Sequence, residues 1–145
     1  MDLFKGLRKT NILIIDDDKW IRNSLAMFFE EEGCLIAVCE TAEEGLEELK
    51  NQDYRTIIAD YRLPGMDGLE FFKRIQESHG NTLKMLITAY GNQNIIAEAE
   101  AIGVGAVIHK PFTVEIIKES LLRLMKTDSG KSFDASIKKR KKEVR

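Results

Sequence analysis

The 145-residue sequence has few cysteines and no long apolar run. Its two cysteines, Cys34 and Cys39, lack the CxxC spacing, and five residues of strand would separate them by about 16 Å. Because a disulfide cannot span that distance, we expect two reduced thiols, as is usual in the cytoplasm. No stretch approaches the ~20 apolar residues of a membrane helix, and the first ten residues lack the apolar core of a signal peptide. We therefore expect a cytoplasmic protein without a membrane segment.

The common signatures of nucleotide binding are also missing. The sequence contains neither GxxxxGK[ST] nor GxGxxG, the glycine-rich patterns that cradle phosphates. No histidine or cysteine stands where it could act as a nucleophile. Any phosphate chemistry in this chain must therefore be carried by other side chains, and the carboxylates are the first candidates.

Charge is distributed unevenly along the chain. The segment 131–145 holds seven basic and two acidic residues, a charge of +5, which leaves −7 for residues 1–130. We predict a short lead-in at residues 1–10, one folded domain at 11–126 and a basic tail or linker without regular structure at 127–145. The basic run of the tail could neutralise nucleic-acid phosphates, but a solvated linker is the favoured interpretation, so no nucleic acid is expected as a partner.

Short apolar runs alternate with segments of helical periodicity. Strands are predicted at residues 11–16, 34–39, 55–60, 83–88 and 104–109. Helices are predicted at residues 19–32, 42–50, 69–79, 92–101 and 114–126. Asp18, Thr41 and Thr113 each precede a helix and are suited to cap it, and Glu44 completes a capping box with Thr41. This alternation predicts an α/β fold, an open parallel sheet with helices on both faces.

Polar side chains follow four of these strands. Strand one leads into Asp16 and Asp17, strand three ends at Asp60, strand four at Thr88, and Lys110 follows strand five. Because parallel strands deliver their carboxyl ends to one edge of a sheet, these side chains should converge there. Carboxylate oxygens suit Mg²⁺, and a carboxylate can attack phosphorus to give an acyl phosphate. Lysine and threonine could then contact the phosphoryl oxygens.

The residues at these strand ends also match a known family motif by motif. The matching segments are Asp16-Asp17 after Ile-Leu-Ile-Ile, Asp60 in Asp-Tyr-Arg-Leu-Pro-Gly-Met-Asp-Gly, Thr88-Ala89 after Met-Leu-Ile, and Lys110-Pro111-Phe112. With these motifs, the chain resembles the receiver domain of a two-component response regulator over roughly residues 10–126. The resemblance implies a flavodoxin-like three-layer sandwich, with a five-stranded parallel sheet in the order 2-1-3-4-5.

The resemblance also implies a role for each of these residues. Asp60 would be the phosphoacceptor, charged by a sensor histidine kinase or a histidine phosphotransfer protein. Asp16, Asp17, Asp60 and the main-chain carbonyl of Arg62 would hold Mg²⁺. Thr88 and Lys110 would sense the phosphoryl group, and the Lys110–Pro111 peptide bond would be cis. The chain would then be a signalling domain that catalyses its own phosphorylation and dephosphorylation rather than a conventional enzyme. Phosphorylation would switch the helix 4–strand 5–helix 5 face toward a downstream protein target.

One position departs from the family pattern, and two others are positions where family members differ in acyl-phosphate lifetime. Val107 stands where the family carries a rotating tyrosine or phenylalanine. Arg62 and Tyr90 occupy positions that tune the acyl-phosphate lifetime, and we expect these large side chains to slow hydrolysis. The alternative function is a Mg²⁺-dependent phosphohydrolase, which would need a second acid two residues after Asp60, where Arg62 stands instead. A weak homodimer through the last helices is left open.

Overall fold

A computed structural model describes residues 10–89, 92–127 and 134–135 of the chain. Over these residues strands and helices alternate as the sequence predicts. The strands are β1 Asn11–Ile15, β2 Leu35–Cys39, β3 Thr56–Asp60, β4 Leu83–Thr88, β5 Ala106–His109 and β6 Asp134–Ala135. The helices are α1 Lys19–Glu31, α2 Ala42–Asn51, α3 Gly68–Arg74, α4 Gln93–Ala101 and α5 Val114–Lys126.

The strands form one parallel sheet in the order β2-β1-β3-β4-β5-β6. The predicted order of the first five strands is therefore confirmed. β1 is an inner strand next to the outer strand β2: Ile12 lies between Ile36 of β2 and Thr56 of β3. β2 is the outer strand on one side, and two of its apolar side chains, Leu35 and Val38, are exposed to solvent.

Neighbouring residues of the strands pack into two separate apolar layers. Leu13 and Leu86 face α2, α3 and α4 and pack with the two rings of Phe71 and Phe72. On the other side Ile12, Ile14 and Met85 face α1 and α5 and pack with Phe29 and Leu121. Because both faces of the sheet are covered, the central strands are continuous apolar runs rather than alternating ones.

The predicted helix caps are confirmed. One carboxylate oxygen of Asp18 accepts hydrogen bonds from the amides of Trp20 and Ile21, so Asp18 begins α1. The hydroxyl of Thr41 accepts the Glu44 amide at 3.1 Å, and Thr113 caps α5 in the same way. The capping box has one variation: the Glu44 carboxylate accepts from the amide of Glu40, one residue before the cap.

The sheet contains a sixth strand that the apolar pattern does not predict. Asp134 and Ala135 of β6 pair in parallel with Ala106 and Val107 of β5. A five-stranded sheet would leave the outer backbone groups of β5 without strand partners. Two residues of the predicted tail provide partners for Ala106 and Val107. The other tail residues beyond Thr127 and the lead-in before Thr10 lie outside the described residues, so those two interpretations stay predictions.

Cys34 and Cys39 are both buried and in the reduced state, as expected from their spacing. Burial is the main cause that raises the pKa of each thiol to about 11. Such thiols are rarely ionised near neutral pH and are correspondingly inert. Within the described ranges, the helices are all too short or too polar to cross a bilayer.

Candidate functional site

Three carboxylates meet at the carboxyl edge of the sheet. Asp16 and Asp17 directly follow β1, and Asp60 is the last residue of the neighbouring strand β3. One oxygen from each lies within 4.8 Å of the others. Asp16 and Asp60 are buried, at 2% and 4% exposure, whereas Asp17 is exposed. The convergence predicted from the strand ends is therefore present for all three.

A lysine that directly follows β5 completes this group. The ammonium nitrogen of Lys110 lies 3.2 Å from Oδ1 of Asp60, and its side chain is mostly buried. The Lys110–Pro111 peptide bond is cis, as the resemblance implies. The Lys110 amide donates to the carbonyl of Thr88 at 2.9 Å, which ties the end of β4 to the β5–α5 connection. Thr88 itself is fully buried.

Asp16 lies in an environment that disfavours its charge. Burial raises its pKa to about 6, against the lowering effect of an amide hydrogen bond from Asp18 at 2.8 Å, with Asp60 adding to the increase. Its other oxygen, Oδ2, is buried and accepts no hydrogen bond from the described residues. A buried anion with an oxygen lacking a donor favours either a proton or a cation.

Asp60 shows the same balance between burial and neighbouring charge. Burial raises its pKa, and the effect outweighs the opposing influence of Lys110. The positive charge of Lys110 therefore does not fully compensate the negative charge of the buried carboxylates. Three clustered carboxylates with a free buried oxygen are hard donors of the kind that Mg²⁺ prefers, so the residues present fit this ion.

A glycine holds the β3–α3 connection against the site. The Gly68 amide donates to the carbonyl of Tyr61 at 2.9 Å. A Cβ atom at position 68 would collide with the main-chain carbonyl of Asp60 and press on Leu86. The lack of a side chain at Gly68 therefore lets α3 approach the candidate phosphoacceptor closely.

The other predicted residues lie around this group. Arg62 is exposed, two residues beyond Asp60, and its carbonyl as a metal ligand stays a prediction. Val107 is buried in the layer that faces α4, and its backbone lies opposite Ala135 of β6. Tyr90 lies outside the described residues, so its effect on the acyl-phosphate lifetime remains a prediction.

Two features of the site were not predicted from the sequence. One is an apolar recess of about 650 Å³ beside Lys110, lined by Trp20, Ile21, Pro111 and Phe112 among others. Trp20 is 80% exposed there, and exposed apolar surface of this kind beside a polar site is typical of an interaction surface. The other is Arg22, which contacts the main chain of Asp16. Trp20 and Arg22 lie in the first turn of α1, directly after the acidic residues. Their closeness in sequence to Asp16 and Asp17 was the one indication that they could lie near the site.

The family model described as "Response regulator receiver domain" matches residues 12–122. The chain belongs to the response regulator receiver family. Receiver domains are phosphoacceptors in two-component signalling, and they bind Mg²⁺ at an acidic cluster. They interact with histidine kinases or phosphotransfer proteins and with downstream targets.

Individual relatives agree with the family assignment. The sporulation initiation phosphotransferase F of Bacillus subtilis strain 168 is 29% identical over 119 residues, which are 82% of this chain and 96% of that protein. A CheY-like receiver domain from Methanospirillum hungatei JF-1 superposes with a TM-score of 0.78 at 27% identity, over 81% of this chain and 94% of that one. The CheX–CheY–BeF3–Mg²⁺ complex of Borrelia burgdorferi has the same fold, with a TM-score of 0.76 at 24% identity over 80% of this chain and 89% of that one. The chain spans about half the length of several transcriptional regulators that it also matches.

Proposed function

We propose that this receiver accepts a phosphoryl group on Asp60 from a phosphohistidine of a partner protein. Asp16, Asp17, Asp60 and the carbonyl of Arg62 would hold Mg²⁺. The observation that carries the proposal is the arrangement of Asp60, which lies within 4.8 Å of two other carboxylates and 3.2 Å from the Lys110 ammonium. A carboxylate in such a setting can approach an anionic phosphate only where positive charge compensates both.

Asp60, Lys110 and Thr88 would each have a separate role in the transfer of the phosphoryl group. A carboxylate oxygen of Asp60 forms a bond to phosphorus while the bond between phosphorus and the donor imidazole nitrogen breaks, and the imidazole leaves with that electron pair. Lys110 pairs with Asp60 before transfer and would shift to a phosphoryl oxygen afterwards. The Thr88 hydroxyl, at the end of β4, would donate to another. Mg²⁺, when bound, neutralises charge on the transferring group.

A small-molecule phosphodonor tests this proposal without the partner. Acetyl phosphate with Mg²⁺ is expected to add the mass of one phosphoryl group, and EDTA should prevent the addition. Reduction of the acyl phosphate with borohydride, followed by peptide mapping, should place homoserine at position 60. A lasting adduct on any other residue would contradict the proposal. So would sustained turnover of a phosphate ester, the behaviour of a phosphohydrolase, which nothing in the site favours.

The apolar recess is where we expect the phosphodonor protein to dock. It lies between α1 and the β5–α5 connection, beside Lys110, so a helix bearing the phosphohistidine could pack over Trp20 and reach Asp60. Exposed aromatic side chains often dominate the binding free energy of such surfaces.

Trp20→Ala is therefore expected to slow phosphotransfer from a cognate phosphohistidine protein by about tenfold or more, the equivalent of a hot-spot residue. Phosphorylation by acetyl phosphate should be unchanged, because that donor needs no docking surface. Met27→Ala is a suitable control, since Met27 is also exposed on α1, at 63%, but does not line the recess. Equal loss with both donors would instead indicate damage to the site itself.

The output of the switch is proposed to be the α4–β5–α5 face. We expect α4 to move because it follows the connection after Thr88 and because, apart from Ile95 and Ile96, its nine residues are small or polar. Amide hydrogen exchange should show α4 less protected than β1 and altered by beryllofluoride, a phosphoryl mimic. Protection equal to that of β1 and unaffected by the mimic would exclude α4 as the moving element.

A further inference from the structure

Arg22 connects α1 to the loop that carries the acidic residues. Its Nη1 donates a hydrogen bond of 2.8 Å to the main-chain carbonyl of Asp16. Its Nη2 lies 3.8 Å from a carboxylate oxygen of Glu40, beyond the end of β2. The Arg22 side chain is only 13% exposed, whereas that of Glu40 is 68% exposed. The guanidinium is therefore fixed mainly by its contact with Asp16.

The Asp16 carbonyl lies where the strand ladder no longer supplies a donor. Paired residues of β1 and β2 end at Ile15 and Cys39. The Asp16 amide still donates to the Cys39 carbonyl at 3.1 Å, but α2 begins soon afterwards and the chain turns away. The Arg22 side chain donates to the Asp16 carbonyl instead, so a side chain rather than a neighbouring strand holds the peptide group between Asp16 and Asp17.

The location of Arg22 is electrostatically unfavourable for a helix. It lies in the first turn or so of α1, near the positive end of the helix dipole, where a cation is disfavoured. The 2.8 Å hydrogen bond to the Asp16 carbonyl offsets this unfavourable interaction with the helix dipole.

We propose that Arg22 is a positioning residue for the divalent cation. It orients the Asp16–Asp17 peptide group so that both carboxylates point toward Asp60. This inference rests on the proposed function, in which these carboxylates hold Mg²⁺. Residues that orient metal ligands from outside the coordination sphere commonly change affinity by 10–100-fold, in order of magnitude.

The direction in which Mg²⁺ affinity changes when Arg22 is replaced distinguishes a positioning role from a purely electrostatic one. Arg22 is a cation bonded to the main chain of Asp16, a proposed metal ligand, so by Coulomb's law its removal should strengthen Mg²⁺ binding. Loss of an orienting hydrogen bond should weaken binding instead. A variant lacking the guanidinium therefore gives opposite results under the two explanations.

The experiment is calorimetric titration of the unphosphorylated 145-residue chain with Mg²⁺ alone. Arg22→Met is expected to bind Mg²⁺ about tenfold more weakly than the native chain. Arg22→Lys, which keeps the charge and one donor group, should recover part of this loss. Glu40→Gln should change the affinity by less than about twofold, because the 3.8 Å contact with Glu40 does not orient Asp16. Arg74→Met provides a matched control, since Arg74 is exposed on α3 and pairs with Glu70.

Each outcome decides one question. Weaker binding in Arg22→Met with partial recovery in Arg22→Lys, in variants whose circular dichroism and unfolding transitions match the native chain, supports the inference. Binding by Arg22→Met that is equal to or tighter than that of the native chain overturns it. A native chain that binds no Mg²⁺ contradicts the proposed function itself, and the two failures are thus distinguishable.

Discussion

Asp60→Asn is expected to abolish formation of the acyl phosphate at every donor concentration. An amide is a poor nucleophile and cannot form the mixed anhydride that an aspartyl phosphate is. The substitution also removes the charge that pairs with Lys110 at 3.2 Å and one of the three carboxylates of the cluster. Intact mass measured after incubation with acetyl phosphate and Mg²⁺ should therefore show only the unmodified chain.

Asp67→Asn is the matched control for this variant. Asp67 lies in the same β3–α3 connection and caps α3 by accepting the Glu70 amide at 2.8 Å. Asparagine caps helices about as well as aspartate, so fold and phosphorylation should both persist. A phosphoryl adduct that survived in Asp60→Asn would require another acceptor and would refute the assignment of Asp60.

Asp16→Asn is expected to stabilise the metal-free protein at pH 7.5 by about 1–3 kcal/mol. This range follows from the difference between the folded and unfolded pKa values of Asp16, at about 1.4 kcal/mol for each pKa unit. Asp16 is 2% exposed, and burial raises its pKa from 3.8 to about 6. In the unfolded chain the carboxyl loses its proton near pH 3.8, whereas the folded protein retains it up to about pH 6. The stability that this group contributes is present below pH 4 and is lost as the pH rises through 6. Asparagine avoids that loss because it has no proton to release.

Urea unfolding in EDTA at pH 4, 5, 6 and 7.5 measures this difference. The free energy of unfolding of the native chain should fall relative to that of Asp16→Asn between pH 4 and 6, and the gap should then stay constant. Asp17→Asn is the matched comparison variant, since Asp17 belongs to the same cluster but is exposed. Mg²⁺ should stabilise the native chain more than Asp16→Asn, because the cation compensates the buried charge. A native chain whose stability did not change with pH relative to Asp16→Asn would contradict this account.

The part of the site that lies at strand ends could be predicted from the sequence. Asp16, Asp60 and Lys110 each follow a buried apolar run, and the geometry of a parallel sheet brings such positions together whatever the details of packing. Asp18 could be separated from its neighbours for a similar reason, because capping is a local interaction with a recognisable spacing. These predictions depended on the backbone pattern alone.

The remaining features depend on tertiary contacts that have no local pattern. Arg22 reaches Asp16 through a long side chain, and its position early in α1 does not reveal which group the guanidinium contacts. β6 consists of two residues in a polar context, too short for any periodicity to appear. Trp20 gave no sign of its exposure, since tryptophan at the start of a helix usually packs against its neighbours.

The sixth strand also limits how copies of this domain could join through their sheets. β6 covers the backbone of β5 at Ala106 and Val107, while β2, with Leu35 and Val38 exposed, is the outer strand on the opposite side. Growth of a fibre by edge-to-edge pairing requires an open strand on both sides of every copy. Among the described residues β6 is the outer strand on the β5 side, and it offers only two residues for pairing. The five-residue β2 is therefore the more favourable edge, and contact between the β2 strands of two molecules closes on itself as a symmetric pair. The short outer strand thus disfavours open-ended assembly.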